Sequence, residues 1–141
     1  MLESLHIPNF QREPSVIRLI MIFITLFWTV FMTFLSHQNG HKSGEESRWI
    51  SERLRIPDHL TRHSAHVLVY MVFTILLLAT MRSYGIDMRI GILAAVLYSI
   101  IDEVTKPLCI FRHWSTPEEL LNILGIALGA ALSTFIMMPI G

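Results

Sequence analysis

Apolar residues along this chain gather in long blocks, without the strict alternation of a half-buried strand. The clearest block runs from Val16 to Ser36 and is broken only by Arg18 and a few hydroxyl residues. Its length suits one crossing of a hydrocarbon layer about 30 Å thick, and Arg18 lies near its start, where a long cationic side chain reaches the headgroups. A second block extends from Ser64 to Met81, with His66 and Tyr70 in its first turns. Ile90 to Ile101 is too short alone, but Met88 to Lys106 makes a full span and draws in Asp102 and Glu103. Leu120 to Ile140 is the fourth block and contains Asn122, Gly125, Gly129, Ser133 and, near its end, Pro139. The pattern predicts an all-α, multi-pass membrane protein. An N-terminal tail (1–15) precedes a transmembrane domain (16–141) with spans near 16–36, 64–81, 88–106 and 120–140 in an up-and-down bundle.

The connections between the blocks differ. His37 to His63 is the longest; it opens on the turn-rich SHQNGHKSG and continues as EESRWISERL, whose spacing of Trp49, Ile50 and Leu54 suits a short helix, on the membrane surface or in solvent. RSYGIDMR is tight, and PLCIFRHWSTP is longer and rich in Arg, His and Trp. In an up-and-down bundle alternate connections share a side, so Gln38, His63, Asp102, Glu103 and Arg112 converge at one end. The other end offers little beyond Arg82, Asp87 and Arg89.

Composition agrees with a lipid environment. Mean hydropathy is +0.53, and charged residues are 16% of the chain, against about a quarter in soluble domains. Zero net charge excludes a nucleic-acid grip. The lone Cys109 excludes an intrachain disulfide and a cysteine-based zinc site. No small-residue cleavage site ends the first block, which is therefore expected to be a permanent span.

Charge in the third block is the informative cost. Some ten apolar residues at roughly −0.4 kcal/mol each favour insertion by about 4 kcal/mol. Asp102, Glu103 and Lys106 at mid-bilayer would each oppose it by roughly 2.5–3.5 kcal/mol. They must sit near the interface, pair, or face a wet recess. Tyr98, Asp102 and Lys106 follow i, i+4, i+8, Glu103 reaches Lys106, and Pro107 stops the helix. His59, His63, His66 and Tyr70 share a face if their helix begins early. STPEE opens the fourth helix, with Ser115 or Thr116 as N-cap, Pro117 in the first turn, and Glu118 and Glu119 read as charges at the positive dipole end. Glu118, Asn122, Gly125 and Gly129 form one stripe, and GIALG is a GxxxG packing spacing. His63, His66, Asp102 and Glu103 are a candidate metal set, with an interfacial hydrogen-bonded pair as the plainer reading of the histidines. His37, His41 and His113 read as exposed.

In four blocks the sequence resembles the VanZ-like family, small bacterial membrane proteins whose named member is associated with teicoplanin resistance. SHQNGHKSGEES is similar to the family's Ser-x-Gln block with a second serine (Ser36, Gln38, Ser43). RHSAHVLVY fits its basic residue, histidine and tyrosine pattern, with Arg62 or His63, then His66 and Tyr70. Asp102-Glu103 matches its acidic pair, although Lys106 stands where the family usually has glutamine. Arg112, Glu118, Asn122, Gly125 and Gly129 match its last block, with Glu118 in place of the usual aspartate. The resemblance implies a cell-envelope role, a multi-pass place in the cell membrane, and no defined reaction. It also favours an external polar end. The positive-inside count points the other way, seven (Lys42, Arg48, Arg53, Arg55, Arg62, Lys106, Arg112) against four (Arg12, Arg18, Arg82, Arg89). The outward orientation is adopted.

Three functions follow. A pocket of Gln38, His63, His66, Tyr70, Asp102, Glu103, Lys106, Arg112, Glu118 and Asn122 binds a membrane lipid headgroup or a cell-wall precursor, with Arg112 suited to phosphate or carboxylate. Alternatively, an intramembrane enzyme uses Asp102 or Glu103 as general base and His66 as its acid partner, around a metal or without one. Or the polar groups only fix helix register. No organic cofactor is expected, and the sequence specifies no oligomeric state.

Overall fold

A computed structural model describes residues 15–38, 40–109, 113 and 116–137. These residues are helical with no strand among them: α1 (Ser15–Ser36), α2 (Gly40–Leu54), α3 (Asp58–Ser83), α4 (Met88–Thr105), a 3-10 turn (Lys106–Leu108) and α5 (Thr116–Ile136). The protein is an all-α helical bundle. Of the predicted N-terminal tail only Ser15 is described, and Pro139 also lies outside the described residues.

Three helices, α1, α3 and α5, are long and apolar enough to cross a membrane. At about 1.5 Å per residue, a helix of α1's length covers roughly the 30 Å of a bilayer core. The fourth predicted span, α4, carries Arg89, Asp102 and Glu103 among its 18 residues, and this charge sets it apart from the other three. Burial is inverted relative to a water-soluble protein. Phe27 is 71% and Phe135 77% exposed, whereas Thr74, Ser99, Glu103 and Asn122 are fully enclosed. An apolar exterior around a polar interior is the arrangement a lipid solvent selects, because polar groups there need protein partners.

α3 is the central element. It begins at Asp58, earlier than the Ser64 expected, because the turn through Arg55, Ile56 and Pro57 ends α2 and restarts the helix. Arg55 adopts a left-handed φ of 55° at that break, and Ser47 hydrogen-bonds Asp58 across it. α5 makes the most extensive contact with α3, because its Gly125 and Gly129 lie against backbone. A Cβ at Gly129 would stand 2.7 Å from the Met71 carbonyl oxygen. The GxxxG spacing is thus a packing surface. α1 and α4 also pack on α3, and α4 packs on α5. Trp28 donates to the Val69 carbonyl (3.2 Å), tying α1 to α3. Away from the polar end, Thr25 and Thr80 hydroxyls meet at 2.8 Å, and Asp87 caps α4 by accepting from the Arg89 amide.

Candidate functional site

Helix α4 presents one buried stripe of Gly91, Ala95, Ser99, Asp102 and Glu103, and Lys106 continues it in the 3-10 turn. Small residues at the far end of this stripe let α3 approach, and the polar ones at the near end meet partners from α1, α3 and α5. The turn at Pro107 brings Lys106 inward, where its side chain is 1% exposed.

The adjacent carboxylates of Asp102 and Glu103 enter different surroundings. Asp102 accepts from Ser36 Oγ of α1 at 2.6 Å and from the Tyr70 hydroxyl of α3 at 3.0 Å, both on Oδ2. His37 Nδ1 lies 3.6 Å from its other oxygen. Glu103 contacts Lys106 Nζ and accepts a longer bond from Asn122 Nδ2 at 3.4 Å. Lys106 Nζ also reaches Glu118 Oε2 at 3.1 Å, so one ammonium bridges α4 and α5. The i, i+4, i+8 stripe of Tyr98, Asp102 and Lys106 therefore divides: Tyr98 hydrogen-bonds Thr33 of α1, and Lys106 pairs with glutamates.

Asn122 organises the second group. Its amide nitrogen faces Glu103 and Glu119, both at 3.4 Å, which turns its oxygen toward His66 Nδ1 at 2.9 Å. An amide oxygen only accepts, so His66 carries its proton on Nδ1 and directs Nε2 to Glu118, 3.6 Å away. Arg62 reaches Glu118 from outside at 3.7 Å. Both oxygens of Glu119 accept from Ser99 Oγ, at 2.7 and 2.8 Å.

The structure thus gathers His66, Tyr70, Asp102, Glu103, Lys106, Glu118 and Asn122 at one end of the bundle. Gln38 is buried beside them. His63 stands apart, exposed, with its ring 6.3 Å from that of His59. Arg112 lies outside the described residues, as do Ser115 and the side chains of His41 and Ser43.

Glu119, His37 and Ser99 stand outside the pocket expected from the sequence, and Glu118 stands inside it. Glu118 and Glu119 are not simply charges at a helix start; Glu118 meets Lys106, His66 and Arg62, and Glu119 meets Ser99. His37 is only partly exposed, with Nδ1 3.0 Å from the Thr33 carbonyl and Nε2 2.8 Å from Thr105 Oγ1. His113 is exposed, as expected. The run Gly91, Ala95, Ser99, Glu103 at every fourth position was the available signal for Ser99.

No family model, curated protein or solved structure matches this chain. The VanZ-like resemblance therefore rests on the four motifs themselves.

Two chemical capacities are present. A cavity of about 220 Å³ lies among α1, α2, α3 and α4, with Ser36, Gln38, Arg62, His66, Tyr70 and Asp102 among its polar lining residues and Met32, Leu35, Ile50 and Val69 among its apolar ones. Beside it, ligand-capable atoms of His66, Glu103 and Glu118 lie within 4.8 Å of one another, close enough to hold a divalent ion. Lys106 Nζ contacts both glutamates of that group, so a side-chain cation already serves them.

Proposed function

We propose that this chain is a VanZ-like protein of the bacterial cell membrane. α1, α3, α4 and α5 cross the bilayer, and its polar end faces outward and binds a lipid headgroup or a cell-wall precursor, contributing to teicoplanin resistance. One observation carries the reading: a buried polar cluster contributed by four helices borders a cavity lined by both polar and apolar side chains. Buried carboxylates are costly to keep in a membrane and stability alone rarely repays them. A mainly apolar cavity with convergent polar groups suits an amphiphile at the bilayer surface. A fourth crossing by α4 is supported by the position of its charges, Arg89 at one end and Asp102 and Glu103 at the other, with apolar sequence between.

The test is genetic. In a glycopeptide-susceptible Gram-positive host, the wild-type chain is expected to raise the teicoplanin inhibitory concentration. Asp102→Asn with Glu103→Gln is expected to return it to the vector level with membrane abundance unchanged. Full resistance in the double variant would sink the proposal, and loss of the protein itself would favour the purely structural network.

An enzyme acting on a lipid-linked substrate is the second reading, favoured by the grouping of His66, Glu103 and Glu118. There a carboxylate would serve as general base with His66 as its acid partner. Metal analysis of purified wild type against His66→Ala separates the two: stoichiometric metal lost in the variant selects the enzyme reading.

A further inference from the structure

Within the polar cluster the buried atoms without a hydrogen-bond partner among the described residues include Asp102 Oδ1 and Gln38 Oε1, and both residues line the cavity. Each of these atoms is an acceptor. Their common deficit is a donor, so the group that completes this wall of the cavity brings N–H or O–H bonds rather than further oxygens.

Charge narrows the donor. Asp102, Glu103, Glu118 and Glu119 bring four carboxylates to the cluster, and among the described residues the lysine and arginine that pair with them are Lys106 and Arg62, both drawn to Glu118. Asp102 is held by two neutral hydroxyls, with His37 at 3.6 Å as its nearest basic group. Among the described residues no lysine or arginine pairs with Asp102, so its buried carboxylate lacks a fixed counter-charge. A sugar hydroxyl would satisfy the hydrogen bonds and leave the charge. A quaternary ammonium would answer the charge and leave the acceptors, having no N–H. A divalent ion needs more oxygen ligands than the two open acceptors offer. A primary ammonium, with three N–H donors, meets both demands.

We infer that the cavity recognises the primary ammonium of an aminophospholipid headgroup, seated against Asp102 and Gln38. The lipid phosphate lies toward Arg62, whose partly exposed guanidinium also lines the cavity. Acyl carbons meet the apolar lining residues Met32 and Leu35 of α1 and Val69 of α3. This inference rests on the headgroup-binding reading above and adds the chemical class of the headgroup.

Native mass spectrometry of the detergent-purified full chain tests it, with short-chain phosphatidylethanolamine, phosphatidylcholine and phosphatidylglycerol titrated in turn, and free ethanolamine as the soluble amine. Phosphatidylethanolamine is expected to bind at least about tenfold tighter than phosphatidylcholine, since a hydrogen bond to a buried charge is worth that factor or more. Asp102→Asn is expected to erase the preference. Gln38→Leu, which keeps the carboxylate, is expected to reduce it by roughly threefold, the worth of a neutral hydrogen bond, and provides the reading if Asp102→Asn fails to fold. Free ethanolamine is expected to bind much more weakly than the lipid; equal affinity would overturn the lipid assignment. Equal binding of the ethanolamine and choline lipids, or an unchanged preference in Gln38→Leu, would overturn the ammonium. Tightest binding of phosphatidylglycerol, lost in Arg62→Gln, would overturn it too while leaving a headgroup site standing. Binding of none of the lipids would remove both inferences.

Discussion

Lys106 and Glu118 join the end of α4 to the first turn of α5, with Nζ and Oε2 3.1 Å apart and the lysine side chain 1% exposed. The same ammonium contacts Glu103, so a single cation bridges two carboxylates from two helices. Removing it leaves the fully buried Glu103 without its cation, while Glu118 keeps Arg62 and His66 nearby. Lys106→Met is therefore expected to destabilise the folded bundle by about 3–5 kcal/mol, the usual cost of breaking one side of a buried pair. Adding Glu103→Gln should recover part of that loss. Thermal unfolding in detergent measures both, and a double variant less stable than the single would refute the charge argument.

The close approach of α5 to α3 gives a second expectation. A Cβ at Gly125 would run into the Val67 carbonyl oxygen, an immovable backbone atom, whereas one at Gly91 would meet the Leu78 and Met81 side chains. Gly125→Ala should cost roughly 2 kcal/mol or more, in the overpacking range, and Gly91→Ala should cost less because side chains can turn aside. Comparing the two melting temperatures checks the difference.

Glu119 depends on Ser99. Among the described residues its other hydrogen-bond partner is Asn122 at 3.4 Å, against 2.7 and 2.8 Å for the serine hydroxyl. Ser99→Ala should destabilise by about 1.5–3 kcal/mol, the worth of a hydrogen bond to a charged group. Adding Glu119→Gln should soften the effect. Equal stability of Ser99→Ala and wild type would show that the glutamate finds another donor.

The number of crossings can be read by labelling. In a Cys109→Ser background, Gly44→Cys, His113→Cys and Ile86→Cys place reporters at exposed or open positions. With α4 crossing the membrane, positions 44 and 113 react together with an impermeant maleimide from outside the cell, and position 86 is protected. Reaction of 86 together with 113 would mean that α4 does not cross.

Much of this was legible in the chain. The apolar blocks marked α1, α3 and α5, because in lipid a run of that length has to form internally hydrogen-bonded helix. The expense of Asp102, Glu103 and Lys106 within an apolar block required a shared polar recess; counting helices placed Gln38, His63 and Arg112 at its end, and helical spacing offered His66, Tyr70 and Asn122 as partners. The early start of α3 was less legible, since Asp58 to His63 is too polar to register as a span.

What the sequence determined by itself is a helical protein with polar groups collected at one end, because hydropathy and helical spacing are local properties. Tertiary structure decided the pairing. That Asp102 turns to Ser36 and Tyr70 while its neighbour Glu103 turns to Lys106, that His63 is left outside while Glu119 and His37 are brought in, depends on how α1 and α5 rotate against α3. Backbone contact at Gly125 and Gly129 limits that rotation, and residues far apart in the chain set it only when the helices meet.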